Sequence, residues 1–257
     1  MRITALVENT TAVPGIGAEH GLSLYIETGD RKILFDMGQT DLFAQNAEKL
    51  GIDLSAVDIA VLSHGHYDHG GGLPRFLELN GHAPVYVSRH AFFPHYNGEK
   101  YIGLVPALQE NPRLRPVGET ASIAPGLTLH SCNERDKVCN TVYDHLTVEQ
   151  EGVRMSDDFC HEQYLLIEEA GKRVLVSGCS HKGILNIAAW FSPDVLVGGF
   201  HFSKRPLDES LIADAKRLND TSTVFYTGHC TGEAQFEFMK SHMERLFYLS
   251  TGKTITI

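Results

Sequence analysis

Four side chains that can bind metal ions lie within six residues of the sequence: His64, His66, Asp68 and His69. Neutral imidazole and carboxylate are preferred ligands of zinc and iron in proteins. Glycines lie between and after them, and Gly65 lets the backbone turn so that the first two imidazoles converge. The alternative is a run of solvated polar residues in a turn. Three histidines and one aspartate, offered in two groups, instead predict a loop that serves two neighbouring metals.

The elements around this loop are predicted from short apolar patterns. Residues 57–62 (VDIAVL) form a nearly continuous apolar run, typical of a strand buried on both faces. A helix is predicted to open at Leu73, just after the loop, and another covers Thr40–Leu50, whose apolar residues recur at helical spacing. Three earlier strands are predicted at ITALVE, LSLYIE and KILFDMG. The metal loop is therefore expected to follow a central strand.

The second half of the chain alternates strands and helices. A hairpin is predicted through Ala170 and Gly171, buried strands at DVLVGGF and TVFYTG, and helices at 182–190, 207–218 and 234–246. Residues 92–160 hold five of the ten prolines and no long periodic segment, and loops of this kind often shape a pocket. Strand–helix alternation predicts an α/β fold, and no linker composition divides the chain, so a single domain over residues 1–257 is expected.

Composition excludes several classes of protein. The 257 residues include 22 basic and 32 acidic side chains, and a formal net charge of −10 disfavours nucleic-acid and anionic-membrane partners. No apolar run approaches the roughly 20 residues that span a bilayer. The start, MRITALVENT, is not a signal peptide, and five cysteines without CxxC spacing fit a reducing compartment. A cytoplasmic protein acting on a small molecule is expected.

The loop and several other segments resemble a known family. The sequence HGHYDHGGGL at 64–73 matches the HxHxDH signature of the metallo-β-lactamase superfamily. The segments LVENT, EHGLSLYIET, ILFDMG, SGCSHKGILNI, GGFH and YTGHCTG occur in the order typical of the branch related to dihydropterin–ribofuranosylaminobenzene phosphate synthases. The resemblance implies a four-layer αββα sandwich with a metal site at one edge of its two packed sheets.

The resemblance also implies a set of metal ligands. His64 and His66 correspond to the residues that bind one metal, and Asp68 and His69 to those that bind the second. His229, in YTGHCTG, matches the C-terminal metal histidine.

The match is uneven at the remaining ligand positions. The family normally has a bridging aspartate after the strand KRVLVSG, but this chain has Cys179 there. A thiolate could ligate, and His181 is a substitute or additional ligand. A further family histidine lies some 20 residues before the bridging position, and His161 fits it. The alternative for Cys179 is a small buried residue behind the site. His181 therefore belongs to the expected ligand set, and His161 and Cys179 are the alternatives for completing it.

Other residues are assigned supporting roles. Asp36 matches an acidic residue that supports the metal loop by hydrogen bonds in the family, and His201 is expected to contact substrate or support the site. His20 is also expected to face the site, on weaker grounds. Six histidines lack a partner motif and are expected to be ordinary surface or core residues: His82, His90, His95, His130, His145 and His242.

The expected activity follows from two divalent metals, with zinc preferred over iron or manganese. Two metals about 3.5–4 Å apart generate a hydroxide near neutral pH that attacks a carbonyl or phosphoryl centre. Asp68 would be both ligand and orienting base, and the absence of GxSxG and of a P-loop leaves the chemistry to the metal. Hydrolysis of an ester, thioester or phosphoester of a small anionic substrate is expected. The alternatives are an iron-dependent oxidoreductase and a metal-binding protein without turnover.

Overall fold

The strands of this chain form from runs of β-branched and aromatic residues. The structure is a computed structural model that describes residues 1–29, 31–141, 143 and 145–257. The described strands are, in chain order, β1 (Arg2–Val7), β2 (Ser23–Thr28), β3 (Arg31–Phe35), β4 (Ile59–Val61), β5 (Val85–Ser88), β6 (His95–Asn97), β7 (Lys100–Tyr101), β8 (Leu114–Val117), β9 (Thr120–Ala124), β10 (Leu127–His130), β11 (Leu146–Gln150), β12 (Val153–Ser156), β13 (Tyr164–Glu169), β14 (Lys172–Val176), β15 (Val195–Val197), β16 (Val224–Thr227), β17 (Leu246–Tyr248) and β18 (Thr254–Thr256). The described α-helices are α1 (Leu42–Lys49), α2 (Tyr67–Gly70), α3 (Leu73–Leu79), α4 (Ile184–Phe191), α5 (Glu209–Asn219) and α6 (Glu233–Lys240).

The chain divides into two compact units. The first unit comprises Met1–Gly118, Val142–Gln163 and Ser250–Ile257. The second unit comprises Glu119–Thr141 and Tyr164–Leu249. The single domain expected over residues 1–257 stays a prediction.

The first unit contains a seven-stranded sheet whose halves differ in direction. Its strand order is β18-β1-β2-β3-β4-β5-β8. The pairs from β18 to β3 are antiparallel, and those from β3 to β8 are parallel. A second, four-stranded sheet has the order β12-β11-β6-β7 and is antiparallel throughout. The parallel half matters for function, because the loops that follow parallel strands gather at one edge of a sheet.

Helices α1 and α3 cover one face of the seven-stranded sheet. Phe43 of α1 and Phe76 of α3 are completely buried and belong to one apolar cluster with sheet residues such as Leu34 and Ala60. Every residue of β4 is buried, as the continuous apolar run predicts. This packing holds the end of β4, from which the metal loop leaves, on a rigid support.

The second unit has the same plan of an antiparallel half followed by a parallel half. Its sheet has the order β17-β16-β15-β14-β13-β10-β9. The hairpin β13–β14 is antiparallel, as predicted, and β14, β15, β16 and β17 are parallel. Helices α4, α5 and α6 pack on this sheet through an apolar cluster that includes Ile187, Leu211, Phe236 and Phe225.

One predicted helix is too long. The pattern over 234–246 predicts a single helix, but α6 ends at Lys240 and Leu246 already belongs to β17. The segment Leu246–Tyr248 pairs with β16 instead, because its backbone forms hydrogen bonds with the N–H and C=O groups along the edge of that strand. The other predicted helices and strands are present with ends shifted by a few residues. Among the described residues, no helix has the length and apolarity needed to cross a bilayer.

Candidate metal centre

The metal loop leaves the carboxyl end of β4 inside the parallel half of the first unit's sheet. His64, His66, Asp68 and His69 are all buried there. The ring centroid of His64 lies 4.6 Å from that of His66 and 4.1 Å from that of His69. The short helix α2 begins immediately after His66, so that Asp68 and His69 lie on a helical turn. The structure therefore brings the four predicted loop residues together.

The glycines of this loop are required by close contacts rather than by a left-handed backbone. A Cβ on Gly65 would lie 2.2 Å from the carbonyl oxygen of Ala91, and a Cβ on Gly71 would lie 2.1 Å from that of Gln39. Neither glycine has a positive φ. Glycine is therefore needed at position 65 for a different reason from the expected one: the loop lies against neighbouring backbone and leaves no room for a side chain.

Replacing Gly65 with alanine is expected to destabilise the metal-free protein by about 1–3 kcal/mol, because the added Cβ would overlap a backbone oxygen. The free energy of unfolding in urea measures this effect. The matched control is Gly81→Ala, where an added Cβ meets nothing within 4 Å, and a change within about 0.5 kcal/mol is expected. Equal stability of the two variants would contradict the contact argument.

Asp36 anchors the loop through three hydrogen bonds. Its Oδ1 accepts from the backbone N–H of Ser63 and its Oδ2 from the hydroxyl of Ser63, both at 2.7 Å. The same Oδ2 lies 2.7 Å from Nδ1 of His69. Asp36 is completely buried and has a φ of 58°. The carboxylate thus directs the Nδ1 proton of His69 towards itself and leaves Nε2 as the ligand atom.

The buried histidines of the loop differ in their charge preference. Burial lowers the pKa of His66 well below its ordinary value, and His161 and His95 lower it further. Burial also opposes the charge on His69, but the carboxylates of Asp36 and Asp68 outweigh it and raise the pKa of His69. Metal binding requires a neutral imidazole nitrogen, so the surroundings of His66 favour the form that binds metal, whereas the carboxylates beside His69 oppose the loss of its proton.

Asp68 has a histidine partner on its exposed side. Nε2 of His20 lies 3.2 Å from Oδ2 of Asp68, and the His20 side chain is 57% exposed. On the buried side, Nε2 of His69 lies 3.9 Å from the same oxygen. The carboxylate therefore stands between a buried imidazole and one that reaches solvent.

A second group of ligand-type side chains lies beside His66 within the first unit. It contains His95, Asp157 and His161, and one candidate ligand atom from each of the four residues lies within 4.8 Å of the others. His95 was expected to be an ordinary residue, and Asp157 carried no expectation. In the sequence, the signals for this segment are the predicted ligand His161 and the mostly polar run DDFCHEQ around it, before a predicted strand.

Asp157 orients both imidazoles of this group. Its Oδ2 lies 2.9 Å from Nδ1 of His95 and 3.2 Å from Nε2 of His161. Burial opposes its ionisation, but the two histidines stabilise the anion by charge and hydrogen bonds and lower the pKa of Asp157 strongly. An ionised Asp157 accepts a hydrogen bond from each ring. Nδ1 of His161 then accepts the N–H of Gly65 at 2.9 Å.

The predicted ligand His161 is therefore hydrogen-bonded through both ring nitrogens inside the first unit. Coordination of a metal by His161 would replace one of these bonds. Its visible contribution is to hold the backbone between His64 and His66. Its role as a ligand stays a prediction.

The remaining predicted site residues lie at the carboxyl edge of the second unit's parallel strands. Cys179 and His181 follow β14, His201 follows β15, and His229 follows β16. Cys179, His181 and His229 are buried, whereas His201 is partly exposed. The ring centroids of His181 and His201 are 4.3 Å apart. The second unit thus gathers its four predicted residues at one sheet edge.

This edge is tightly packed and conformationally strained. His201 and His229 have φ values of 55° and 49°, a region that side chains other than glycine rarely adopt. The thiol of Cys230 donates to the carbonyl oxygen of Cys179 at 3.4 Å. A Cβ on Gly199 would lie 2.3 Å from Sγ of Cys230. Strain of this kind is typical of functional sites, where it fixes side-chain direction.

The donor sets fit a divalent transition metal. The first unit supplies buried imidazoles and a carboxylate, which suit zinc, iron or manganese. Nε2 of His95 is buried and has no hydrogen-bond partner among the described residues. A buried acceptor of this kind is costly unless something binds it.

Three comparisons place the chain among known proteins. Residues 16–131 match the metallo-beta-lactamase superfamily. The uncharacterized protein MJ0448 of Methanocaldococcus jannaschii is 31% identical over 99% of this chain and 100% of its own length. The 7,8-dihydropterin-6-methyl-4-(beta-D-ribofuranosyl)-aminobenzene-5'-phosphate synthase of the same organism is 27% identical, over 93% of this chain and 90% of its own.

A solved structure agrees with these matches over the full chain. Tm1679, described as a metal-dependent hydrolase of the beta-lactamase superfamily, superposes with a TM-score of 0.85 at 30% identity, covering 100% of this chain and 99% of its own. The predicted α/β fold class and the predicted family are confirmed. The chain belongs to the metallo-β-lactamase superfamily, in the branch that resembles MJ0448 and the dihydropterin-related synthase.

Proposed function

We propose that this protein is a metal-dependent hydrolase that cleaves an ester, thioester or phosphoester bond of a small anionic molecule. The observation that carries the proposal is the buried group of His64, His66, Asp68 and His69 after β4, held by the Asp36 carboxylate. Burying three imidazoles and a carboxylate side by side is costly unless something that binds them compensates for their lost hydration. Kinship with a metal-dependent hydrolase over the whole chain supports the same conclusion.

The proposed ligands are those that the family resemblance implies, for two divalent metals with zinc preferred over iron or manganese. The loop contributes its three histidines and Asp68. The second unit's His181 and His229 belong to the proposed set, and Cys179 and the first unit's His161 are the alternatives for completing it.

Asp68 is the proposed catalytic carboxylate. A divalent metal, when bound, lowers the pKa of a water molecule towards neutrality and polarises the bond to be cleaved. Asp68 receives the proton that the attacking water gives up. His20 lies 3.2 Å from Oδ2 of Asp68 and reaches solvent, so it can pass that proton outwards. His201 is proposed to contact the substrate.

The substrate class rests on charge and kinship. A net charge of −10 argues against nucleic acid and anionic membranes as partners, and we infer a small molecule in the cytoplasm. The dihydropterin-related synthase is named for a compound that carries a phosphorylated ribofuranosyl-aminobenzene group. Phosphorylated aromatic compounds therefore belong in the first set of substrates to be tried.

The test combines metal analysis with hydrolysis. Purified protein is expected to hold about two zinc ions per chain and to hydrolyse members of a panel of p-nitrophenyl esters, phosphomonoesters, phosphodiesters and aryl thioesters. Activity should disappear on dialysis against a chelator and return with zinc. Turnover that survives complete metal removal, or a fully loaded protein that cleaves no panel member, would contradict the proposal.

The second candidate is an iron-dependent oxidoreductase. It is favoured by the histidines and cysteines that share one edge of the second unit, because this donor set suits iron as well as zinc. Bound iron with visible absorption would favour this function, whereas a colourless zinc protein would favour the hydrolase.

A further inference from the structure

We propose that His95 is a metal ligand, binding through Nε2 beside His66, and that Asp157 is the carboxylate that orients it. The inference rests on the proposed function in one respect, since it adds a ligand next to the metal loop. It differs from the ligand set implied by family resemblance, in which His95 has no part.

The hydrogen-bonding pattern of His95 is that of a metal-bound imidazole. Its Nδ1 lies 2.9 Å from Oδ2 of Asp157, a carboxylate that is itself buried. A proton on Nδ1 leaves Nε2 with an available lone pair. Histidines that bind metals usually donate their second nitrogen to a carboxylate in this way, which fixes the tautomer and raises the basicity of the ligand atom.

Nε2 of His95 points towards the metal loop. A Cβ on Gly65 would lie 3.0 Å from it, and Gly65 separates His64 from His66. The His95 side chain is completely buried, and this nitrogen has no hydrogen-bond partner among the described residues. A buried lone pair without a partner is the second, independent indication that something binds there.

The ring geometry fits His66 and His95 as ligands of one metal. A metal–nitrogen bond of about 2.0–2.1 Å puts an imidazole centroid about 3.2 Å from the metal, so two rings at a tetrahedral angle have centroids about 5.2 Å apart. The centroids of His66 and His95 are 5.5 Å apart.

The centroid of His161 lies 5.1 Å from that of His66, so ring spacing alone does not choose between His161 and His95 as the ligand beside His66. Their centroids are only 3.9 Å apart, which is too close for two ligands of one tetrahedral metal. Hydrogen bonding distinguishes them: His161 uses both ring nitrogens, with Asp157 and with the N–H of Gly65, whereas Nε2 of His95 has no hydrogen-bond partner among the described residues. Of these three residues, we therefore assign Asp157 and His161 to positioning and His95 to coordination, so that His95 takes the place of His161 as the alternative ligand from the first unit.

Cobalt(II) binding to the full-length protein tests this assignment without any substrate. Metal-free wild type, His95→Gln, Asp157→Asn and the control His82→Gln are titrated with cobalt(II), and the visible d–d bands give the Kd and report the ligand set. His82 is exposed and belongs to none of the ligand groups found among the described residues. Thermal unfolding of each metal-free variant shows whether it folds.

His95→Gln is expected to weaken cobalt binding at least tenfold and to alter the d–d bands, and Asp157→Asn to weaken it by about 10–100-fold. His82→Gln should match wild type. If folded His95→Gln has the same Kd and spectrum as the wild type, the inference is overturned. The proposed function is unaffected by that result, because the wild-type protein still binds metal. A wild type that binds neither cobalt nor zinc would overturn both.

Folding defects do not remove the test. If metal-free His95→Gln fails to unfold cooperatively, Asp157→Asn decides alone, since it keeps both imidazoles and removes only the carboxylate that orients His95 and His161. An unchanged Kd and spectrum in folded Asp157→Asn would then overturn the inference, and a weakened Kd with altered bands would support it. A purely structural His95–Asp157 pair would lower metal-free stability and leave the cobalt spectrum unchanged.

Discussion

Replacing His64 and His66 together with alanine is expected to reduce bound metal to less than about one tenth of the wild-type content and hydrolysis to background. Both imidazoles are buried with their rings 4.6 Å apart, so no water-exposed group can take over their part in binding. Metal binding needs about three or four protein ligands, and losing two of them leaves too few for tight binding. Elemental analysis of the purified variant measures the effect.

The matched control is the double variant His82→Ala, His242→Ala, which also removes two imidazoles. Neither residue belongs to a group of candidate ligands in the described part of the chain. This control should keep wild-type metal content and activity. Metal content near wild type in the His64, His66 variant would show that the metal loop is assigned wrongly.

Asp36→Asn is expected to lower the free energy of unfolding by about 3–5 kcal/mol, because it removes the buried carboxylate that accepts hydrogen bonds from Ser63 and His69. The amide cannot accept from Ser63 and His69 at both oxygen positions, so a donor is left facing another donor. Asparagine tolerates the left-handed backbone of this residue, with its φ of 58°, so backbone strain is not the cause. Urea unfolding of the metal-free protein measures the loss.

The same substitution should weaken metal binding, because His69 loses the carboxylate that orients it, and about 10–100-fold is expected. The control is Asp41→Asn at the start of α1, whose side chain makes no capping hydrogen bond to the helix backbone and is exposed. A change within about 0.5 kcal/mol is expected there. If the two variants lost the same free energy of unfolding and the same metal affinity, the hydrogen bonds of Asp36 would not be what stabilises the loop.

The metal loop could be predicted because its chemistry is local. His64, His66, Asp68 and His69 lie within six residues after a buried strand, so their spacing alone brings them together once that strand forms. Strands and helices followed from apolar periodicity for the same reason. Prediction from periodicity failed for the helix at 234–246. The spacing of its apolar residues fits a helix, but pairing with β16 determines the conformation of Leu246–Tyr248.

The supporting groups could not be predicted in the same way. Nothing near His95 in the sequence indicates that Asp157, 62 residues later, accepts its Nδ1 proton. Gly65 likewise donates to His161 across 96 residues. Pairing of β6 with β11 brings the segments of His95 and Asp157 into contact, and a backbone hydrogen bond from Gln163 to Ser63 does so for those of His161 and Gly65. Such long-range contacts depend on the whole fold rather than on any short pattern.

By itself, the sequence determined that the chain is α/β, belongs to the metallo-β-lactamase superfamily and carries a metal-binding loop after a buried strand. These properties depend on residue types and short spacings, which determine local structure. Tertiary structure alone decided that Gly65 lies against Ala91 and that Asp157 is hydrogen-bonded to His95. It also gave Asp36, whose supporting role the family resemblance implies, its partners Ser63 and His69. The physical reason is that close packing and buried hydrogen bonds join residues distant in the chain, and only the complete fold places them within reach of one another.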